Sequence, residues 1–304
     1  MKKVLNFFLV IGVFTICLIY NDEIINYIIE NVAELKKEES IIENNKYASK
    51  NNYNYIKLTE DFTPNNKEDL KNIYYTILNS GMKEFTFYCP KEYEDCIQDV
   101  DYISNNQNLL SNINNFIPVY NSFSNIETEF DSLGKVKINV THTYTDEQIN
   151  LLEQKINNII NELITPDMKT DVKIKTIHDY IINNTKYDID RSDNKVTKYN
   201  SDTAYGALIE NYAICGGYAD SMKLFLDTLN IPNYKISSEN HIWNLVYIND
   251  NWYHLDLTWD DPVTSDGKDV LEYDYFLITS EELKNMQTDQ HVYDSNIYTE
   301  TKSN

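Results

Sequence analysis

The chain has 304 residues and a formal net charge of −22, from 48 acidic against 26 basic side chains. That balance argues against nucleic acid as a partner and suits a solvated, extracellular surface. The length suggests about two domains. With only 7 glycines and 6 prolines in the whole chain, each one is informative about where an element ends.

Met1, Lys2 and Lys3 precede an uncharged, mostly apolar run from Val4 to Tyr20. The run is at the short limit for a spanning helix and longer than most signal-peptide cores. No small-x-small cleavage pattern follows it, since Asn21, Asp22 and Glu23 come next. Ile16 before Cys17 spoils a lipid-attachment box. The reading is an uncleaved signal anchor over residues 1–20 that meets the membrane through residues 4–20. Lys2 and Lys3 stay in the cytoplasm and the rest is exported, giving a single-pass membrane protein. Secretion after signal cleavage is the alternative. Residues 21–52 become charged and Asn-rich and read as a stalk or linker.

A smaller α/β region follows over 53–144. Leu70, Ile73, Tyr74, Ile77 and Leu78 give a helical face that Gly81 ends, and Glu84 to Cys89 reads as a strand. Pro90 suits the first turn of another helix carrying Tyr93, Cys96, Ile97 and Val100. Cys89 and Cys96 would then lie about 10 Å apart along that helix, too far for a disulfide. Phe116 to Tyr120, Ser122 to Phe130 and Lys135 to Tyr144 read as strands.

Thr145-Asp146-Glu147-Gln148 is a capping box. Its helix turns Ile149, Leu152, Ile156, Ile159 and Leu163 inward. Thr165-Pro166 reads as the start of the next helix, where His178 shares an apolar stripe with Ile174, Ile177 and Ile181 and reads as a core histidine. Asp188 to Asp193 lacks the glycine and the final glutamate of a calcium loop and reads as polar loop. Cysteines and histidines are too scattered for zinc. No phosphate-binding glycine motif is present. No metal and no cofactor are called for.

The stretch from Ala204 to Pro262 holds all 3 tryptophans of the chain. Cys215 stands before Gly216 and Gly217, and Tyr218, Met222, Phe225, Leu226 and Leu229 then recur along one helical face. A thiol at a helix N-terminus is favoured as thiolate, and a neighbouring imidazole adds to that. Paired glycines let a substrate backbone come close. His241 to Ile248 alternates like a strand, Asn249-Asp250 is a turn, and Asn251 to Trp259 is a second strand. With a two-residue loop, 248 faces 251 and 241 faces 258, so His241 and Asp256 share a face on a close diagonal. That is the arrangement of a base and its orienting carboxylate. His254 is the rival base. Asp260 and Asp261 read as turn residues beside Pro262. Trp243 shares the face of His241, Trp252 that of Asp256, and Trp259 points toward the core.

Ala204 to Leu208, Ile214 to Ala219, His241 to Asn244 and Trp252 to Pro262 together resemble the transglutaminase-like superfamily, in an exported bacterial-type form. The resemblance covers roughly 185–265. Asn211 stands where the family often has Gly. It implies an α+β fold with a papain-like core, in which Cys215, His241 and Asp256 form a triad. The catalytic domain is then 145–290, with 291–304 as a tail and Gln287 onward frayed. Tyr205, Gly216, Gly217 and Trp243 are the candidate substrate contacts. The implied activity is attack on an amide of a peptide, a protein or the cell wall, through an acyl-enzyme that goes to water or to an amine. The alternative is a non-catalytic binding or scaffolding module at the cell surface.

Overall fold

The computed structural model describes residues 41–131, 133–263 and 270–303. The expected anchor at 1–20 and stalk residues 21–40 lie outside these. Among the described residues no helix is long and apolar enough to cross a membrane.

Residues 45–52 are not a free linker. Asn45 Nδ2 donates to Asn121 Oδ1 at 2.7 Å and Asn79 Nδ2 donates to Ser49 O at 2.9 Å. The strand of chain is thereby held against helix α1 (Lys67–Ser80). Asn66 caps α1 by accepting from Asp69 N, Glu68 and Asp69 sit in its positive first turn, and Gly81 ends it at φ 76. Strand β1 (Glu84–Tyr88) follows, then helices α2 (Cys96–Asn105) and α3 (Gln107–Asn114). Strands β2 (Phe123–Phe130) and β3 (Lys135–His142) complete an antiparallel sheet in the order β1-β3-β2.

Two expectations fail here. Cys89 and Cys96 are disulfide-bonded, with Cα atoms 5.7 Å apart. Residues 90–95 form turns, not helix: Tyr93 N bonds Pro90 O and Cys96 N bonds Tyr93 O. The chain doubles back and α2 starts only at Cys96, so no helical rise separates the thiols. Residues 116–120 are not a strand either. Pro118 has no N–H for a ladder and leads a 3-10 turn over Val119–Asn121.

Helix α4 (Asp146–Leu163) opens on the expected capping box, with Thr145 and Gln148 bonding reciprocally. Helix α5 (Thr170–Asn184) starts later than expected, because Thr165 turns its hydroxyl onto Asp167 at 2.6 Å. Strand β4 (Lys186–Tyr187) pairs in parallel with β5 (Tyr212–Ala213). Between them Asp188 caps a short helix, α6 (Ile189–Asn194), where a polar loop was expected. Asn211 takes φ 62, the left-handed region that Asn tolerates better than most residues.

Helix α7 (Cys215–Thr228) packs on a four-stranded antiparallel sheet, β6 (Asn233–Ser237), β7 (Ile242–Ile248), β8 (Asn251–Leu255) and β9 (Phe276–Ile278). The β7–β8 turn is Asn249-Asp250, both at positive φ of 50 and 65. A two-residue hairpin of the type that matches strand twist needs that conformation. It pairs Ile248 with Asn251 and continues to Asn244 with Leu255, the register read from the sequence. Helix α8 (Ser280–Asn285) follows β9.

The sheet separates two cores. One face turns Val246, Ile248 and Leu255 to α4, α5 and α7. The other turns Tyr234, Ile236, Trp243 and Leu245 to a core shared with α1 and the three-stranded sheet. The region over 53–144 thus shares a core with this sheet. The segment after Gln287 does not fray against it. Tyr298 is 1% exposed, and its hydroxyl accepts from Asn115 Nδ2 at 2.7 Å.

Candidate active site

Cys215 is the first residue of α7. Its place is set from both sides. The β4–β5 pairing fixes the chain just before it, and Ile214 N donates to Ser201 O at 2.7 Å. The loop carrying Ser201 and Asp202 lies across the first turn of α7. A Cβ on Gly216 would meet Asp202 O at 2.7 Å, and one on Gly217 would meet Ser201 O at 2.5 Å. The close approach expected of a substrate is thus made by the protein's own backbone. Tyr205 packs half-buried against the core on the α7 side.

His241 stands just before β7 and is 5% exposed. Its Nε2 lies 2.5 Å from Asp256 Oδ2. Nδ1 is the ring atom that Asp256 leaves free, and Cys215 adds to the forces that hold a proton on this imidazole. Burial works to lower the His241 pKa. The Asp256 carboxylate outweighs it, and with the Cys215 contact raises the group to about 10. Asp256, in turn, accepts from Thr258 N at 2.9 Å and Trp259 N at 3.4 Å through Oδ1. Burial alone would raise its pKa, but the facing imidazoles hold it well below the usual carboxylate range. Both shifts favour the charged pair, with the proton on His241.

His254, on the same sheet face, is fully occupied. It accepts from Trp243 Nε1 at 3.0 Å, and its Nε2 lies 3.0 Å from Ser280 Oγ. Burial, then the neighbouring His291, pushes it down to about 3, so it is a neutral structural histidine. His178 is buried between Asp179 and Asp260, at 3.0 and 3.1 Å. Asp260 follows the turn at 257–259, as expected, but it is buried. It is 0% exposed and also accepts from Tyr275 N at 2.8 Å. Asp261 accepts from the hydroxyl of Tyr218.

Trp243 takes the expected face beside His241, but it is buried where an open wall was expected, and Trp259 is less buried than expected. Trp243 is 1% exposed and stacks under His241, rings 5.5 Å apart and 16° from parallel. It supports the imidazole and presents no open wall. Trp259, expected to point inward, is half-buried beside Tyr275 and His291, each 5.1 Å away, and donates to Gln290 at 3.2 Å.

Sequence reasoning missed His291. Its Nε2 reaches the same Asp256 Oδ2 at 2.9 Å. Nothing in its local pattern marks it, and the only signal was that histidines are few, 5 in the chain. His241, Asp256 and His291 bring their ligand-type atoms within 4.8 Å of one another, the one such group among the described residues. Those atoms are turned on each other in hydrogen bonds.

Residues 157–257 match the model of the transglutaminase-like superfamily core. No curated protein matches the chain. Among solved structures it is similar to "Crystal structure of a TGase", at 16% identity and TM-score 0.34, over 45% of this chain and 44% of that one. It is also similar to "The Crystal Structure of a Putative Cysteine Protease from Cytophaga hutchinsonii", at 17% identity and TM-score 0.29, over 48% of this chain and 65% of that one. The chain thus spans less than two thirds of the length of either.

Proposed function

With residues 157–257 carrying a transglutaminase-like superfamily core, we propose that the protein is an exported cysteine enzyme acting on amides of peptides or proteins. Cys215, His241 and Asp256 are its triad. The observation that carries this reading is one buried imidazole with Nε2 2.5 Å from Asp256, whose pKa is raised in part by Cys215, the only free thiol among the described residues.

The thiolate of Cys215 attacks the carbonyl carbon, and the carbonyl electron pair moves to oxygen. The Cys215 N–H at the start of α7, which no preceding helical carbonyl takes, is the oxyanion donor in this reading. The C–N bond then breaks, and the leaving amine takes the proton from His241 Nδ1. Water or a second amine attacks the resulting thioester and returns a proton to His241 as the C–S bond breaks. Asp256 keeps the imidazole oriented and its charge balanced throughout. Hydrolysis or amide exchange is favoured over transamidation. The tryptophan nearest the imidazole is buried beneath it, which leaves Trp259 as the aromatic wall at the rim. A transferase that keeps water from its acyl-enzyme needs more walling than that.

Export is part of the proposal. Lys2 and Lys3 before the apolar run from Val4 to Tyr20 support a signal anchor. The Cys89–Cys96 disulfide suits an oxidising compartment.

A glutamine-containing peptide offered with a labelled primary amine tests the chemistry, with Cys215→Ser as control. Free acid as the main product is expected, and dominant adduct at modest amine concentration reverses the preferred branch. Neither product, together with a Cys215 that alkylates no faster than in the denatured chain, would leave a binding module as the better reading.

A further inference from the structure

Asp256 Oδ2 is the crossing point of two imidazoles. His241 Nε2 reaches it at 2.5 Å and His291 Nε2 at 2.9 Å. A carboxylate only accepts, so the Nε2 of His291 must donate. Its Nδ1 lies 2.6 Å from Thr288 Oγ1 and can accept the threonine proton. The ring is boxed by Tyr275, stacked at 4.9 Å, by Trp243 at 4.9 Å edge-on, and by Trp259 at 5.1 Å. It is 5% exposed. Rotation about the Asp256 side chain would carry Oδ2 away from His241. The two backbone donors on Oδ1, Thr258 N and Trp259 N, fix the other oxygen only.

We propose that His291 is a positioning residue of this site: its Nε2–H pins the oxygen of Asp256 that orients His241, and the segment 287–303 completes the site by carrying it there. The proposal rests on the Cys215–His241–Asp256 reading. His291 itself lies outside residues 157–257, the part that matches the family model. The segment is anchored for the task. Tyr298 is buried at one end, and Gln290, beside His291, accepts from Trp259.

The test uses the full chain in detergent and reads iodoacetamide labelling at the Cys215 peptide near neutral pH, with thermal unfolding in parallel. Gln places an amide nitrogen close to where Nε2 of His stands, and Asn does not. His291→Gln should label within about twofold of the native chain, and His291→Asn roughly tenfold slower, as misplacement of a catalytic group does. Equal native-rate labelling by both variants, with both folded, overturns the proposal. If the variants unfold, nitrogen-labelled imidazole spectra of the native chain decide. His291 should appear as the Nε2-protonated form and its signal should move when Cys215 is alkylated. An unmoved signal overturns the proposal. His241→Ala is the separating arm. Slow labelling there with native-rate labelling in His291→Asn removes only this inference, whereas native-rate labelling in His241→Ala removes the triad reading itself.

Discussion

The two faces of the four-stranded sheet are built for different tasks. The face toward α7 is aliphatic, with Val246, Ile248 and Leu255, and its polar groups are locked. Lys235 holds Asp220 at 2.6 Å and Asn244 donates to Ala219 O at 3.0 Å. The opposite face is aromatic and titratable, with Tyr234, Trp243 and His254, and His241 and Asp256 stand at its end. The thiol belongs to the first side, because it starts α7. The proposed base, His241, and Asp256 belong to the second. Cys215 and His241 are therefore each set by a different core, and their meeting depends on both. The region over 53–144 supplies part of that frame.

The largest effect should come from removing the carboxylate. Asp256→Ala leaves two buried imidazoles without their acceptor. By analogy with triad carboxylates, turnover should fall about 10³–10⁴-fold. Breaking a buried pair should also cost about 3–5 kcal/mol of stability. Turnover and urea unfolding measured on the same preparation check both. His254→Gln, on the same face, should leave turnover within a few-fold, and a loss as deep as that of Asp256→Ala would make His254 the base.

The second test breaks the frame from its far side. Phe116 is 1% exposed and packs against Tyr53 and Tyr234, both with ring centres 4.9 Å away. Phe116→Ala should cost about 3–5 kcal/mol. Because Tyr234 belongs to the four-stranded sheet, the whole described body should unfold in one transition at lower temperature. Two transitions, with only the first shifted, would show that 53–144 folds by itself.

What the sequence disclosed follows the range of the interactions concerned. The β7–β8 register was legible because Asn249-Asp250 leaves only a two-residue turn, and a one-residue slip would reverse every side chain. The start of α4 was legible because its cap and its Gln148 partner are three residues apart. The Cys89–Cys96 bond was not, because Pro90 fits a turn as well as a helix start, and the choice decided the distance. The places of Trp243 and Trp259 were not, because alternation assigns a side chain to a face without saying what covers that face. His291 was invisible since its partner lies 35 residues away in a different element.

A smaller effect tests the edge of the aromatic side. The disulfide closes a short loop, with Cys89 and Cys96 separated by 7 positions. Chain entropy then assigns it about 2 kcal/mol. Reduction should lower the melting temperature without removing Cys215 labelling, because the bond braces α2 and β1, away from the imidazoles. Loss of labelling on reduction would mean that this edge holds the site directly.

The smallest effect is a pH slope, and it separates the histidines of the aromatic face by sign. His254 is held neutral by burial, then by the nearby His291, with its pKa down at about 3. An unfolded histidine titrates near about 6.5. The folded value is the depressed one, so this contribution is fully present above about 6.5 and is lost as pH falls toward about 3. His241 has the opposite sign. Raised to about 10, it contributes fully below about 6.5 and loses its contribution as pH rises through about 10. Asp256, depressed, contributes above the unfolded carboxylate range near about 4 and loses its contribution only below it. Between about pH 6.5 and 4.5, then, neither member of the ion pair changes its contribution, and His254 should supply a slope of up to about 1.4 kcal/mol per pH unit. Urea midpoints across that window, compared with His254→Gln, isolate it. Gln can accept from Trp243 and donate to Ser280 without titrating, so its profile should be flatter by up to that slope. An unchanged slope would mean that His254 is protonated in the folded chain, and the contrast between it and His241 would be lost.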